Sequence, residues 1–383
     1  MVKLKGMTWS HPRGYDPMVA CSAIFRQKTG VEIVWEKRSL QDFESFPVDE
    51  LAAAYDLIVI DHPHVGQITR DHCLLPLDEP EFRDEIAAIA AGTVGRSFPS
   101  YHWQGRQWAF PIDAATQVQA YRPDRISRPV ADLEEVIALA AKGNAILPMR
   151  PPHSLMTFYT LAAHLGFAMT VEGPQLIAAS DGETVLDWMA RLLAPMDAAC
   201  DAMDPIAVLD LMGEPDCSFD VSPFIYGYVS YSFAGFRPGR VAFADIPVIG
   251  GRKPNGSALG GTGIAVSAQT EAPVEAKAFA RWIASGAVQS GPYAAANGQP
   301  GHADAWADAK VNTRALDFYR HTRATLEGAF VRPRHDGYME FQQQASELIT
   351  SGLRDGTAHR PMIDRLNQLF ETSILHSGPI SRQ

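Results

Sequence analysis

Aromatic and hydrogen-bonding side chains are concentrated in two short loops near the N-terminus, at residues 9–16 and 61–66. The residues of interest are Trp9 and His11 in the first loop, and Asp61 and His62 in the second. Carboxylates and imidazoles hydrogen-bond to hydroxyl groups, and hydrogen bonds to charged groups are the stronger ones. An indole ring adds flat apolar area and one N–H donor. Together these side chains predict a site for a small, hydroxyl-rich molecule.

Each of these residues also has a structural interpretation. Trp9 either stacks on a ligand or fills the core. His11 either donates to a ligand hydroxyl or carboxylate, or caps the turn at Pro12. Asp61 either accepts hydroxyl protons or caps the turn that follows it, as aspartates often do.

His62 and His64 flank Pro63, so we considered a metal pair. The spacing of two histidines alone is a weak indication, no further acidic or cysteine ligand is obviously supplied nearby, and a structural zinc site needs four protein ligands. We therefore expect no metal and no cofactor.

Further candidates lie in the middle of the chain. Asp113 either reaches the ligand from a chain crossing or ties the backbone there. His153 precedes an apolar helix in which Ser154 is expected to act as the cap. Tyr226 and Tyr228 share one face of an extended segment and either line the site or belong to the core.

Two glycines and two arginines complete the set. Gly260 and Gly261 either allow close approach of the backbone to a ligand or form a flexible turn at a chain crossing. Arg332 and Arg334 are suited to neutralise an acidic sugar through paired N–H donors, with a surface ion pair as the alternative. Arg13 and Arg150 raise the same question.

The length and net charge of the chain limit the classes of protein to which it can belong. The 383 residues include 46% hydrophobic and 20% charged residues, which indicates globular domains with a substantial core. The length predicts two domains or one large body. Lys+Arg 33 against Asp+Glu 44 gives a net charge of −11, so we expect no nucleic acid partner.

The first sixty residues predict an alternating β-α-β-α-β unit. Leu4–Thr8, Val31–Trp35 and Leu57–Ile60 read as strands, and the run at 57–60 suits a parallel strand covered on both faces. We expect the first helix to begin at Asp16–Pro17 and to bury Val19, Ala23 and Ile24. Alternation of strands and helices predicts a doubly wound α/β sheet, whose ligand lies beyond the carboxyl ends of its strands.

The four cysteines, at 21, 73, 200 and 217, form no C-x-x-C pair. They read as ordinary buried thiols. A Cys200–Cys217 disulfide is the alternative, and it would require an oxidising compartment.

Several segments together resemble family 1 extracellular solute-binding proteins, the maltose-binding-protein-like receptors of carbohydrate ABC importers. The resemblance covers nearly the whole chain and rests on the order and spacing of four motifs. They are Tyr55–Asp61, Cys73–Asp78, Gly105–Pro111 with Tyr121–Asp124, and Gly260–Val266 with the helix at 273–285.

The resemblance implies a two-lobed periplasmic-binding-protein-like α/β fold, in which each lobe is a doubly wound sheet flanked by helices. Lobe 1 is expected at 1–112 and 258–308, and lobe 2 at 113–257 and 309–383. The resemblance also implies a ligand cleft between the lobes, hinge closure on a carbohydrate or sugar acid, and delivery by a monomer to ABC permease subunits.

Location and alternative functions stay open at this level. No apolar signal-like segment follows Met1, so we expect a periplasmic protein if a signal peptide was removed and a cytoplasmic one if Met1 is native. The alternatives to a receptor are a cytoplasmic ligand sensor, a protein-interaction module and an enzyme on the same scaffold. An enzyme would use Cys21 as nucleophile, or Asp61 and Asp113 as a carboxylate pair.

Overall fold

The computed structural model describes residues 1–39 and 48–376, and its strands and helices alternate through most of the chain. The strands are β1 Lys3–Trp9, β2 Glu32–Arg38, β3 Leu57–Ile60, β4 Leu74–Leu75, β5 His102–Trp103, β6 Arg106–Gln107, β7 Phe110–Tyr121, β8 Val221–Tyr226, β9 Ala242–Ala244 and β10 Leu259–Ser267. The α-helices are α1 Pro12–Thr29, α2 Val48–Ala54, α3 Val65–Asp71, α4 Arg83–Gly92, α5 Ser97–Ser100, α6 Leu133–Ala140, α7 His153–Leu165, α8 Ala179–Leu193, α9 Pro205–Met212, α10 Pro273–Ala284, α11 Gly286–Val288, α12 Ala303–Ala307, α13 Ala309–Arg314, α14 Phe318–His321, α15 Arg323–Glu327, α16 Tyr338–Arg354 and α17 His359–His376. Short 3-10 turns lie at His62–His64, Pro80–Phe82, Ala198–Ala202 and Val229–Ser232, and a π turn at Gln289–Tyr293.

The chain divides into two compact units, each built from two stretches of sequence. Unit 1 comprises Met1–Ala115 and Gly260–Thr313, and unit 2 comprises Thr116–Leu259 and Arg314–Gln383. The crossings expected from the sequence, after 112, 257 and 308, lie within a few residues of these positions. The last residues of predicted lobe 2, 377–383, lie outside the described part of the chain.

Unit 1 contains the predicted parallel strands. β1 pairs in parallel with β2 on one side and with β3 on the other, and β10 pairs antiparallel with β3. All four residues of β3 are buried, as expected for a central strand. The α/β prediction is therefore confirmed, with one antiparallel strand added to the parallel set.

Helix α1 packs on unit 1 by a face that the sequence analysis did not identify. Its buried apolar residues are Met18, Cys21 and Phe25, whereas Val19 is 43% exposed. The Phe25 ring lies 5.2 Å from that of Phe279 on α10, in an edge-to-face arrangement. The predicted buried face of Val19, Ala23 and Ile24 is therefore wrong. The helix also begins at Pro12, one turn before the predicted start.

Unit 2 differs from unit 1 in its strand pairing. β7 pairs antiparallel with both β8 and β9. Parallel pairing within this unit appears as single bridges, such as Ala145 with Val221 and Asp132 with Val248. The long helix α16 packs on α7 and α17, and α8 packs on α7. Unit 2 is thus a mixed α/β body with a larger helical layer.

Two strands carry the chain from one unit to the next. β7 spans the boundary at 115/116, and β10 spans the boundary at 259/260. Gly260 and Gly261 lie within the extended strand β10, so the prediction of a flexible turn at these two glycines is wrong.

The backbone geometry at position 261 requires a glycine. Its φ is +91°, and a Cβ at this position would lie 2.3 Å from the carbonyl oxygen of Asp113. The glycine lets two stretches of unit 1 backbone approach each other closely.

All four cysteines are buried free thiols. The Cys200–Cys217 disulfide is therefore wrong, and the interpretation as core thiols is confirmed. Among residues 1–39 and 48–376, no helix has the length and hydrophobicity needed to cross a bilayer.

Candidate ligand-binding site

The two N-terminal loops follow neighbouring strands of unit 1. Gly6 pairs with Leu57 and Met7 with Ile58 in parallel register, so β1 and β3 end at the same edge of the sheet. The loops after Trp9 and after Ile60 therefore begin side by side. This neighbourhood was predicted from the sequence, and the strand register confirms it.

Trp9 lies at the end of β1 with only 3% of its surface exposed. A Cβ on Gly14, in the first turns of α1, would lie 2.4 Å from the indole ring. Helix α1 therefore covers the ring at close range. This placement favours the core alternative for Trp9 over stacking on a ligand.

His11 serves as the N-cap of α1. Its Nδ1 accepts a hydrogen bond from the backbone N–H of Arg13 at 3.1 Å, and the residue is 8% exposed. This bond satisfies one of the free N–H groups at the helix start. The capping alternative for His11 is thus the one observed.

Asp61 caps the turn after β3 and remains partly accessible. Its carboxylate accepts the backbone N–H of His62 at 2.8 Å, and 19% of its side chain is exposed. The Nδ1 atom of His62 lies 3.2 Å from the same carboxylate, and the His62 side chain is 1% exposed. Of the four candidates here, Asp61 retains the most accessible polar side chain.

The metal alternative for His62 and His64 gains no support from the geometry. Both histidines are buried within the short turn that follows β3. Within 1–39 and 48–376, no group of three or more histidine, cysteine, aspartate or glutamate side chains is placed to hold a metal ion.

Asp113 forms a buried ion pair that the sequence analysis did not predict. The guanidinium of Arg13 donates two hydrogen bonds to its carboxylate, one of them from Nε to Oδ2 at 2.7 Å. The side chains are 4% and 0% exposed. Burial raises the pKa of Asp113, while the charge and hydrogen bonds of Arg13 act to lower it.

The carboxylate of Asp113 is thus engaged by Arg13, and the predicted contact of Asp113 with a ligand stays a prediction. The pair fixes the first turn of α1, next to the loop that follows β1, onto β7 within unit 1.

In unit 2, His153 and Tyr226 come together. His153 is the first residue of α7, and Tyr226 is the last residue of β8. Their ring centroids are 6.1 Å apart in an edge-to-face arrangement. His153 is 3% exposed, and burial lowers its pKa to about 3, with further contributions from Arg332 and Arg150. The imidazole is therefore neutral at physiological pH.

Three further polar residues surround this pair. Burial, the largest cause, raises the pKa of Tyr159, and the neighbouring Tyr338 raises it further. Arg332 donates from Nε to the Leu259 carbonyl at 3.1 Å and from Nη1 to Gln342 at 3.0 Å. We refer to His153, Tyr159, Tyr226, Arg332 and Tyr338 as the α7 cluster.

Sequence reasoning missed Tyr159 and Tyr338 because each occupies a buried helical position that looks like ordinary core. A tyrosine hydroxyl needs a partner when it is buried. The sequence carries no motif that links Tyr159 to Arg332 and Tyr338, so only the structure brings them together.

The remaining candidates do not join this cluster in the ways predicted. Tyr228 lies beyond the end of β8, is 6% exposed and packs edge-to-face on Tyr231 at 6.5 Å, so the core alternative applies. Gly261 faces the Asp113 carbonyl instead of a ligand, and Gly260 is buried in β10. Arg334 is half-buried in the segment before α16.

The prediction that Ser154 caps α7 is wrong. The N-cap position of α7 is Pro152, which supplies no side-chain acceptor. The Ser154 hydroxyl instead donates to the Ser346 carbonyl on α16 at 2.8 Å. The start of α7 is therefore left without a side-chain cap.

Comparison with known proteins agrees with this architecture. The model of the bacterial extracellular solute-binding protein family matches residues 20–316, which is more than half of the chain. No curated protein sequence is similar enough to count as a match.

Three solved structures illustrate the fold. An ABC transporter solute-binding protein from Agrobacterium radiobacter K84, in complex with ribitol, is 18% identical with a TM-score of 0.79, over 97% of this chain and 98% of that one. Maltose-bound MalE3 of T. maritima is 17% identical with a TM-score of 0.80, over 97% and 100%. A solute-binding protein from Thermotoga lettingae TMO bound with α-D-tagatose is 13% identical with a TM-score of 0.79, over 98% and 100%.

These likenesses show that the α/β fold of binding proteins extends over nearly the whole chain. The family match agrees with the resemblance carried by the sequence motifs. The chain belongs to the bacterial extracellular solute-binding protein family.

Proposed function

We propose that this protein is a receptor that captures a small polyhydroxylated ligand, a sugar, polyol or sugar acid, and delivers it unchanged to an ABC importer. The observation that carries the proposal is the α7 cluster, in which the neutral, buried His153 lies against the Tyr226 ring. A ring face suits the C–H surface of a sugar, and buried polar groups suit its hydroxyls. The similar proteins hold ribitol, maltose and tagatose.

Unit 1 contributes a second candidate surface. Asp61 remains partly exposed at the shared edge of β1 and β3. Its carboxylate is suited to accept hydrogen bonds from hydroxyl groups, which are stronger when the acceptor is charged. We propose Asp61 and His62 as the ligand-binding residues of unit 1, and His153 and Tyr226 as those of unit 2.

The residues nominated for catalysis are poorly placed for it, which supports a binding role. Cys21 is fully buried, and burial raises the pKa of its thiol to about 12, so the reactive thiolate is suppressed. Asp113 is buried in its ion pair with Arg13 and is not available as one member of a carboxylate pair.

The proposed location and the proposed partners of this protein both rest on its family. Members are extracellular solute-binding proteins, so we propose that the protein works in the periplasm after export, as a monomer that docks on permease subunits. Hinge closure on the ligand belongs to the same proposal, and small-angle scattering with and without ligand would detect the expected decrease in radius of gyration.

A ligand panel tests the proposal directly. Thermal unfolding is measured with ribitol, mannitol, tagatose, maltose and glucuronate, with the mixtures then checked by mass spectrometry. A ligand at 100 times its dissociation constant stabilises the native state by about 2.7 kcal/mol. We expect selective stabilisation by at least one compound and no conversion of it.

Tyr226→Ala is expected to abolish that shift, because it removes the ring beside His153. Tyr55→Phe is the matched control, since Tyr55 lies in unit 1 and its hydroxyl donates to Glu36 at 2.7 Å. Stabilisation by no compound, or a shift that survives Tyr226→Ala, would contradict the proposed role.

A further inference from the structure

We propose that the ligand carries a carboxylate, which binds in unit 2 at the N-terminus of α7 between Arg150 and the Nδ1 atom of His153. The ligand class is then a sugar acid, an aldonate or a uronate, in preference to a neutral sugar or polyol. This inference rests on the proposed receptor function and narrows it.

The start of α7 favours an anion. The helix has 13 residues, no acidic residue in its first turn and no side-chain acceptor at its N-cap. The N–H groups at a helix start and the positive end of its dipole stabilise a negative group placed there. Within 1–39 and 48–376, no side chain forms a capping hydrogen bond at this N-cap.

The second, independent observation is a buried polar atom on the same turn. His153 is 3% exposed, and its Nδ1 has no hydrogen-bond partner in the described part of the chain. Buried polar atoms in native proteins are nearly always satisfied. A neutral imidazole that carries its proton on Nδ1 would donate to a carboxylate oxygen.

Two arginines, Arg150 and Arg332, act electrostatically on this turn. Arg150 precedes α7 and Arg332 belongs to the α7 cluster, and both act on His153 strongly enough to help lower its pKa. Arg332 is 4% exposed, and the Arg150 side chain is 39% exposed. The accessible guanidinium of Arg150 is suited to bind a carboxylate through two N–H groups.

The carboxylate of Asp204 competes for Arg150. Asp204 lies 3.7 Å from its Nη1, which is an ion-pair distance and longer than a hydrogen bond. Asp204 also accepts the N–H of Ala207 as the cap of α9. A ligand carboxylate that bonds directly to Arg150 would therefore form a closer contact than the existing pair.

The Tyr226 ring connects the anion site to a sugar skeleton. It packs edge-to-face on the His153 ring, with the centroids 6.1 Å apart. A carboxylate at the helix start would thus place the adjacent carbon chain beside an aromatic face. An aromatic face beside the carboxylate favours a sugar acid over a simple inorganic anion.

The test compares acid and neutral ligands of the same carbon skeleton by isothermal titration calorimetry on the full chain. The pairs are ribonate with ribitol, mannonate with mannitol, and glucuronate with glucose. In at least one pair we expect the acid to bind at least about tenfold more tightly, the increment typical of one charged hydrogen bond. Arg150→Gln is expected to remove that preference, so that the acid and the neutral member of each pair bind this variant about equally.

Arg191→Gln is the control, because Arg191 is a comparably exposed arginine of unit 2 that pairs with Glu134. It should leave the preference for the acid unchanged. His153→Phe removes the Nδ1 donor, and a reduced preference in that variant supports the contact with this atom. Should His153→Phe fail to fold, Arg150→Gln alone decides.

Three results are decisive against parts of this scheme. Equal or tighter binding of the neutral members overturns the carboxylate site and leaves the receptor function standing. An acid preference that survives Arg150→Gln also overturns the site. If no member of any pair binds, the proposed function and this inference fail together.

Discussion

Removing one partner of the buried pair between Arg13 and Asp113 is expected to destabilise unit 1 far more than replacing both partners. Replacing Asp113 by Asn leaves a permanently charged guanidinium in a site where its side chain is 4% exposed. Removing one partner of a buried ion pair typically destabilises a protein by about 3–5 kcal/mol, since the other charge remains unsolvated. We expect Asp113→Asn to fall in that range.

The double variant separates pairing from burial. In Arg13→Met/Asp113→Leu neither charge of this pair is left, so the cost of burying one of them without the other disappears. We therefore expect the double variant to be more stable than Asp113→Asn, with an overall loss of about 0–2 kcal/mol relative to the original chain.

Urea unfolding followed by circular dichroism measures these differences as shifts in the midpoint at constant slope. Arg360→Gln serves as the control, because Arg360 and Asp364 form an ion pair whose side chains are 60% and 58% exposed. Exposed pairs contribute little. A loss of under about 1 kcal/mol in Asp113→Asn, or a double variant less stable than the single one, would refute this reasoning.

Three further results are expected. Gly261→Ala places a Cβ 2.3 Å from the Asp113 carbonyl oxygen at a φ of +91° and should lower the free energy of unfolding by at least about 2 kcal/mol. Gly30 also has a positive φ but has open space around it, so Gly30→Ala should cost clearly less. Equal losses in urea unfolding would contradict the clash at position 261. Burial lowers the pKa values of His153 and His335 to about 3 and about 4, below their unfolded values. The free energy of unfolding should therefore be retained above pH 6.5 and decrease below it, by about 1.4 kcal/mol per pH unit per histidine down to the folded pKa. Unfolding curves from pH 7.5 to 5 should show this slope, and a slope unchanged in His153→Gln would contradict the assignment. Cys21 should react with iodoacetamide only after unfolding, because it is 0% exposed and its thiol pKa is about 12; rapid labelling of the native protein, followed by mass spectrometry, would show that it is accessible.

The local pattern of the first sixty residues predicted the central part of unit 1 well. The apolar run Leu57–Ile60 became β3 with unchanged bounds, and the parallel order of β1 and β3 placed the two loops side by side. Strand periodicity and turn residues are local properties, so they survive into the folded chain.

The buried face of α1 was not readable in the same way. Met18, Cys21 and Phe25 share a helical spacing with equally apolar residues on the other side, such as Val19 and Ile24. Periodicity alone offered two candidate faces. Packing against Phe279 on α10, far along the chain, decided between them.

The family, the alternation of strands and helices and the two loops at the edge of the first sheet could all be predicted from the residues alone, because short stretches of the chain encode them. Which polar residues meet became clear only from the packing of the folded chain. Arg13 and Asp113 are 100 positions apart, and His153 meets Tyr226 and Arg332 through three separate elements. Such contacts arise from the packing of distant segments, and no local spacing encodes them.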